Sequence, residues 1–155
     1  MVGPEGRGTA QQAITAVDAK KVVVDKPFAI GRYEITFDDW QHCVDAGGCK
    51  GQPADDGWVR GRRPVIHVSY NDISEQYLPW LSKVTGFTYR LPTEAEWELA
   101  SQGGNTSSRG GISETGSSVP VACSYGNSSD VAAKTRETIW AGVGCNDGFL
   151  YSAPV

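Results

Sequence analysis

Residues 90–100 read RLPTEAEWELA, and this stretch carries the clearest structural signal in the chain. Thr93 is followed three residues later by Glu96, which is the spacing of a capping box. In a capping box the hydroxyl and the carboxylate each accept a backbone N–H at the start of a helix. The sequence therefore predicts a helix from Glu94 to about Ser101, preceded by a short strand over residues 87–90.

The same order of strand, cap and helix precedes this block. Residues 65–68 are mostly β-branched and predict a buried strand. Ser69 and Asp72 repeat the capping-box spacing, and apolar residues then recur on one face of a helix that Gly86 ends. Pro79 inside this helix removes one hydrogen bond, at a cost of about 3 kcal/mol, so we expect a kink there.

The segment before residue 50 predicts two strands and a helix. Three valines at residues 22–24 predict the first strand, and residues 28–35 predict a second extended stretch. Thr36 predicts the N-cap of a helix with Asp38 and Asp39 in its first turn, and the glycines at residues 47–48 end it.

The two ends of the chain lack a regular pattern. Residues 1–20 predict a flexible N-terminal tail, so the predicted domain covers residues 21–155. Residues 101–119 are dominated by Gly, Ser, Thr and Asn and predict a mobile surface loop. Residues 121–155 show no sustained period and predict irregular structure packed on the core.

The composition is typical of one soluble, loop-rich domain. The chain has 155 residues, and its 19 glycines and 8 prolines argue against a helical bundle. A net charge of -4 argues against a nucleic acid or an anionic membrane as partner. The longest apolar runs are too short to span a bilayer, and the first ten residues do not resemble a signal peptide.

The block at residues 90–100 is similar to one found in the formylglycine-generating enzyme family, also called the sulfatase-modifying factor family. Further segments carry the same resemblance over about residues 21–155. They are PFAIGRYEIT at 27–36, CVDAGGC at 43–49, RPVIHVSY at 63–70, DGF at 147–149 and APV at 153–155.

The resemblance implies an α+β, loop-rich fold of the C-type-lectin-like kind. It also implies a chemistry in which a cysteine of a sulfatase peptide is oxidised to formylglycine with dioxygen and copper. In the family, two cysteines in the second half of the domain hold Cu(I), because soft thiolates select that ion. The chain stops before that half, so the resemblance implies an incomplete domain that is inactive alone. Copper is expected only in a complete, active member.

The resemblance also implies a structural calcium ion. The matching ligands are the side chains of Asn127 and Asp147 and the carbonyls of Ser128 and Phe149, all hard oxygen donors of the kind that Ca²⁺ prefers. An alternative remains open, because Asn and Asp beside Ser and Gly are also common turn formers.

The four cysteines lie too far apart in sequence for a structural zinc site. Cys43 and Cys49 flank a helix end and a double-glycine turn, and Cys123 and Cys145 bracket the last irregular segment. We expect disulfides in these two pairs, which indicates an extracytoplasmic, oxidising compartment. Four reduced thiols in a cytosolic protein remain the alternative.

The tryptophans divide into two groups. Trp40, Trp80 and Trp97 lie on predicted helices and are assigned to core packing. Trp58 and Trp140 lie in predicted loops and are candidates for a recognition surface.

The charged residues offer no catalytic constellation. Glu94 and Glu96 are explained by helix capping and the helix dipole rather than by acid-base chemistry. The arginines within residues 60–63 are assigned to a solvated loop, and His42 and His67 to ordinary structural or surface roles.

Two hypotheses about function remain. The chain derives either from a formylglycine-generating-type protein or from a non-catalytic, lectin-like module that binds a peptide or another ligand. A gene fragment without a function of its own is a third possibility. The expected partner is a polypeptide or a small ligand, and a complementing chain is possible because half a fold leaves an apolar face uncovered.

Overall fold

The computed structural model describes residues 2–3, 12–14, 21–103, 123, 126–132 and 144–155. Within these ranges the chain forms short strands, three α-helices and a π-helix that runs directly into the second α-helix. They are β1 (Val2–Gly3), β2 (Gln12–Ile14), β3 (Lys21–Val23), β4 (Ala29–Ile30), α1 (Phe37–Asp45), the π-helix (Asp72–Tyr77), α2 (Leu78–Thr85) and α3 (Glu94–Ser101). Among the described residues no helix is long and apolar enough to cross a membrane.

The strands form two small antiparallel sheets. β1 pairs with β4, with Val2 opposite Ile30, and β2 pairs with β3, with Ala13 opposite Val22. β1 and β2 fall within residues 1–20, for which the sequence predicts a flexible tail. The rest of that range lies outside the described residues, so the tail stays a prediction.

Helix α1 begins at the N-cap Thr36 that the sequence predicts, and Thr36 forms a capping box with Asp39. The Asp39 N–H donates to Thr36 Oγ1 at 3.1 Å, and the Thr36 N–H donates to Asp39 Oδ2 at 2.9 Å. The helix ends before a turn in which Gly47 has a φ of +70°, a value that favours glycine. The prediction of this helix and of its cap is confirmed.

The second helical segment begins at the predicted Ser69–Asp72 box, because the Asp72 N–H donates to Ser69 Oγ at 3.1 Å. Its first part is a π-helix, and the Leu78 N–H donates to the carbonyl of Ile73, five residues earlier. The kink at Pro79 stays a prediction. A widened turn places Pro79, which has no N–H to donate, in the first turn of α2, where proline is tolerated.

The core lies where α1 meets the π-helix and α2. Trp40 stacks on Tyr77 with ring centroids 5.3 Å apart, and Trp80 packs against Tyr77 at 5.4 Å. Cys43 and Cys49 are buried beside them. Burial, together with the charge of Asp39, raises the pKa of Tyr77. Trp97, which the sequence assigns to the core, is instead 56% exposed.

Two predicted strands do not form. Residues 65–68 follow a single bridge between Thr36 and Pro64, and His67 has a φ of +58°, outside the β region. In residues 87–90 only Arg90 takes part in a bridge, and the Tyr89 N–H donates to the Ser82 hydroxyl instead of a neighbouring strand. The local apolar pattern was present, but within the described ranges neither segment is paired along its length with another strand.

Candidate functional site

A buried carboxylate joins two segments that lie far apart in the sequence. Asp130 is completely buried, and its two oxygens accept the backbone N–H groups of Asp147 at 2.7 Å and of Ala132 at 2.8 Å. The Val131 N–H donates to the carbonyl of Cys145 at 3.0 Å. These bonds hold residues 130–132 against residues 145–147.

Asp147 completes this arrangement from the second segment. Its Oδ2 accepts the Ser128 N–H at 3.2 Å, and its Oδ1 accepts the Phe149 N–H at 2.8 Å. The side-chain nitrogen of Asn127 donates to the carbonyl of Tyr151 at 2.7 Å. The structure therefore brings all four residues of the predicted calcium set into one pair of adjoining segments.

The oxygen donors of this region fit a hard cation. Single donor atoms of Asp130, Asp147 and Cys123 lie within 4.8 Å of one another, but the sulfur of Cys123 belongs to a disulfide and offers no thiolate. The hydroxyls of Ser128 and Ser129 are buried and make no hydrogen bond with any residue that the structure describes. Carboxylate oxygens, with amide and backbone carbonyl oxygens, are the ligands that Ca²⁺ takes. Asp130 was missed in the sequence because no local pattern marks it.

All four cysteines of the chain are joined in disulfides. Cys43 is bonded to Cys49 with their Cα atoms 5.3 Å apart, and Cys123 to Cys145 with a separation of 6.2 Å. These are the two pairs that the sequence predicts, and no cysteine is left free. Cu(I) selects thiolates, which a disulfide does not supply, so the donor set of these cysteines does not fit a copper centre.

Trp58, a candidate for a recognition surface, contacts the C-terminal segment. Its ring stacks on that of Tyr151 with centroids 4.5 Å apart and planes within 6°. One face of the indole is therefore covered by the chain itself. Trp140, the second candidate, lies outside the described residues.

The arginines of residues 60–63 are not simply solvated, as the sequence predicts, but hold other parts of the chain. Arg60 bonds to Asp55 at 3.0 Å and to Gln52 at 2.8 Å. Arg63 donates to the carbonyl of Ser152 at 2.9 Å, and Arg62 donates to that of Val155. The carboxylates of Asp130 and Asp147 form an acidic cluster. The loop at residues 60–63 therefore fixes the segment that follows this acidic cluster.

The block at residues 90–100 contains an ion pair that its local sequence pattern does not reveal. The Arg90 guanidinium binds both carboxylate oxygens of Glu96, at 2.6 and 2.7 Å. Hydrogen bonds from Arg90, supported by those from Thr93 and opposed by burial, lower the pKa of Glu96 to about 2. The capping box of Thr93 and Glu96 is confirmed, and Glu96 has a structural role.

The sequence matches a known protein family over almost its whole length. The model of the sulfatase-modifying factor enzyme 1-like domain matches residues 2–155. The chain belongs to the sulfatase-modifying factor family. The resemblance carried by residues 90–100 is thereby confirmed, and the mixture of helices with few strands agrees with a loop-rich α+β domain of this family.

Three curated relatives illustrate how much of a sulfatase-modifying factor protein is present. The formylglycine-generating enzymes of Thermomonospora curvata and Streptomyces coelicolor are each 35% identical over 101 residues, which is 62% of this chain and 27% and 26% of those enzymes. The hercynine oxygenase of Mycobacterium tuberculosis is 34% identical over 110 residues, 50% of this chain and 24% of that protein. The chain spans about a quarter of the length of these relatives. No solved structure matches it.

Proposed function

We propose that this chain supplies the scaffold of a formylglycine-generating-type domain whose complete form oxidises a cysteine in a partner polypeptide. The family membership and the names of two relatives support this proposal. The observation that carries it is the family match over residues 2–155. The pairing of all four cysteines in disulfides assigns them to structure rather than to copper. The copper-binding thiolates of an active protein then come from residues other than these 155.

A direct assay tests the assignment of the redox centre. The chain is incubated with a cysteine-containing sulfatase peptide, Cu(I) and dioxygen, and the peptide is examined by mass spectrometry. We expect no conversion of the thiol to the aldehyde, with the enzyme of Thermomonospora curvata as the positive control. Conversion by the chain alone would contradict the proposal.

We further propose that the acidic cluster binds a structural Ca²⁺. Asn127, Ser128, Asp147 and Phe149 are the ligands proposed from the family resemblance, and the buried carboxylate of Asp130 supports them with a second charge. Ca²⁺ would offset the repulsion of two neighbouring carboxylates. A thermal melt with Ca²⁺ should show a higher Tm than one with EDTA, because a ligand of the native state raises its stability.

A matched pair of variants locates the ion. Asp147→Asn should abolish the Ca²⁺-dependent shift in Tm, whereas Asp56→Asn, which changes an exposed carboxylate in another loop, should preserve it. An unchanged Tm in wild type on adding EDTA would leave Asn127 and Asp147 as turn formers.

The C-type-lectin-like architecture also belongs to this proposal. The disulfide-linked, loop-rich segments and the short paired strands support it, and an experimental structure of the complete protein would test it. A complementing chain or a polypeptide substrate would then cover the exposed apolar residues, among them Val84, Phe87 and Trp97.

A non-catalytic binding module is the second candidate. It is supported by the same pairing of cysteines and by a bovine relative named inactive C-alpha-formylglycine-generating enzyme 2, which is 51% identical over 41 residues, 26% of this chain and 11% of that protein. If the complete protein bound a sulfatase peptide without converting it under the assay conditions above, this candidate would replace the oxidase.

A further inference from the structure

The disulfide between Cys123 and Cys145 joins the two segments that carry the acidic cluster. Cys123 precedes the segment that contains Asp130, and Cys145 lies two residues before Asp147. The sulfur of Cys123 is 4.0 Å from Oδ2 of Asp130. The covalent link therefore lies beside the carboxylates, although its two cysteines are separated by 22 positions in the sequence.

Hydrogen bonds also connect the two segments at this place. The Val131 N–H donates to the carbonyl of Cys145 at 3.0 Å, and the Asp147 N–H donates to Asp130 Oδ2 at 2.7 Å. Such groups bond to water instead when two segments part, so each bond contributes only modestly to holding them together. The disulfide acts differently, because it limits how far the segments can separate at all.

The two carboxylates oppose the approach of the segments. A donor oxygen of Asp130 lies within 4.8 Å of one of Asp147, and Asp130 is completely buried, so water screens the repulsion of their negative charges only weakly. With the disulfide formed, the oxygen donors are held close before an ion arrives. With the disulfide reduced, an ion would bind only the fraction of molecules in which the segments still meet, and its apparent affinity would fall by that fraction.

The two disulfides of the chain differ in their accessibility to a reductant. Cys43 and Cys49 are buried in the core and are 0% and 5% exposed. Cys123 and Cys145 are both partly exposed. Because thiol–disulfide exchange requires access to a sulfur atom, a soluble dithiol should reduce the Cys123–Cys145 disulfide first.

We propose that the Cys123–Cys145 disulfide is a redox switch for the calcium site. Its reduction lowers the affinity for Ca²⁺, and bound Ca²⁺ protects it from reduction; the two effects are equal in size, because the coupling of two equilibria is reciprocal. In the reduction, a dithiol supplies two electrons and two protons, the S–S bond breaks, two thiols form on the chain and the dithiol becomes a cyclic disulfide. This inference rests on the Ca²⁺ site proposed above.

Calcium titration with and without the disulfide measures the coupling. Isothermal titration calorimetry of the oxidised wild-type chain is compared with that of the double variant Cys123→Ser and Cys145→Ser. We expect the Kd for Ca²⁺ to rise about five- to 150-fold in the variant, the usual range for coupled sites. Far-UV circular dichroism checks that the variant is folded.

The reciprocal experiment uses the wild-type chain, so it does not depend on the folding of a variant. The chain is equilibrated in mixtures of reduced and oxidised dithiothreitol, with EDTA or with enough Ca²⁺ to saturate both forms, and alkylation with mass spectrometry measures the reduced fraction of each disulfide. Ca²⁺ should lower the equilibrium constant for reduction of Cys123–Cys145 by the same factor of about five to 150. The buried Cys43–Cys49 disulfide is the internal control and should be unaffected, and Asp147→Asn should remove the protection.

The possible failures separate the switch from the calcium site. An equal Kd in the oxidised chain and the folded double variant would overturn the coupling, and so would a reduced fraction that is the same in Ca²⁺ and in EDTA. Equal protection of both disulfides would also overturn it, because Ca²⁺ would then act through the stability of the whole chain. In each of these cases Ca²⁺ binding by the oxidised wild type would leave the calcium site standing, whereas absence of that binding would overturn the site and the switch together.

Discussion

The carboxylate of Glu96 accepts hydrogen bonds from Arg90 and from the backbone and hydroxyl of Thr93, at distances of 2.6 to 3.1 Å. The side chain of Glu96 thus holds the start of a helix in place, as its capping-box spacing predicts. Glu96 itself is buried although its guanidinium partner is half exposed. At the residue scale, the ion pair and the capping box account for Arg90, Thr93 and Glu96 as structural residues.

The pair gives stability a dependence on pH. Because the pKa of Glu96 is lowered from 4.5 to about 2, its contribution is present above pH 4.5 and is lost as the pH falls towards 2. Glu96→Gln should lower the free energy of unfolding by about 1–3 kcal/mol at neutral pH, and this difference should shrink through that window. Urea unfolding of the wild type and of Glu96→Gln at a series of pH values measures this difference in the free energy of unfolding. Glu94→Gln, an exposed carboxylate in the same helical turn, is the control, and a difference that does not change with pH would contradict the account.

Gly48 illustrates a contact that only glycine permits. A Cβ atom at this position would overlap the ring of Trp80. Gly48→Ala should therefore destabilise the fold by about 1–3 kcal/mol, the usual cost of overpacking, as measured by thermal unfolding. Gly126→Ala, where a Cβ atom would meet open space, should be close to neutral. Equal stability of the two variants would refute the close approach.

At the element scale, the helices were predicted more completely than the strands. The predicted stretches at residues 22–24 and 28–35 overlap β3 and β4, whereas those at 65–68 and 87–90 form no strand. A capping box uses two residues only three apart, so Ser69–Asp72 and Thr93–Glu96 were found from local spacing alone. Thr36 was found as an N-cap, and its box with Asp39 was seen only in the structure. A strand at residues 65–68 needs a neighbour elsewhere in the chain, and the local pattern contains no information about it. Asp130 was missed for the same reason. Its carboxylate accepts the backbone N–H of Asp147, which lies seventeen residues away in the sequence.

The N-caps should carry measurable stability. Thr36→Ala removes the acceptor of the Asp39 N–H and should lower the free energy of unfolding by about 0.5–2 kcal/mol. Thr88→Ala, at an exposed threonine outside the helices, serves as the control. Urea unfolding followed by tryptophan fluorescence provides the comparison, and indistinguishable midpoints would show that the cap contributes nothing.

At the scale of the whole molecule, the described part of the chain is fastened by covalent and polar links between distant segments. One disulfide closes the end of α1 inside the core, and the other joins residues 123 and 145 beside the acidic cluster. The disulfide between Cys123 and Cys145 closes a loop with a sequence separation of 22, and closing a loop of that size stabilises the fold by on the order of 3 kcal/mol. The family and its helices could be read from the sequence, whereas the link between Trp58 and Tyr151 and the burial of Asp130 depend on the folded chain. The cysteines are therefore assigned to stability, and the redox chemistry of the family to other residues.

Disulfide mapping tests this assignment most directly. The chain is produced in an oxidising compartment, its free thiols are alkylated under denaturing conditions, and its proteolytic peptides are analysed by mass spectrometry without reduction. We predict two linked peptide pairs, Cys43 with Cys49 and Cys123 with Cys145, and no alkylated cysteine. Alkylated Cys123 and Cys145 in the folded, purified protein, together with stoichiometric binding of Cu(I), would contradict the account.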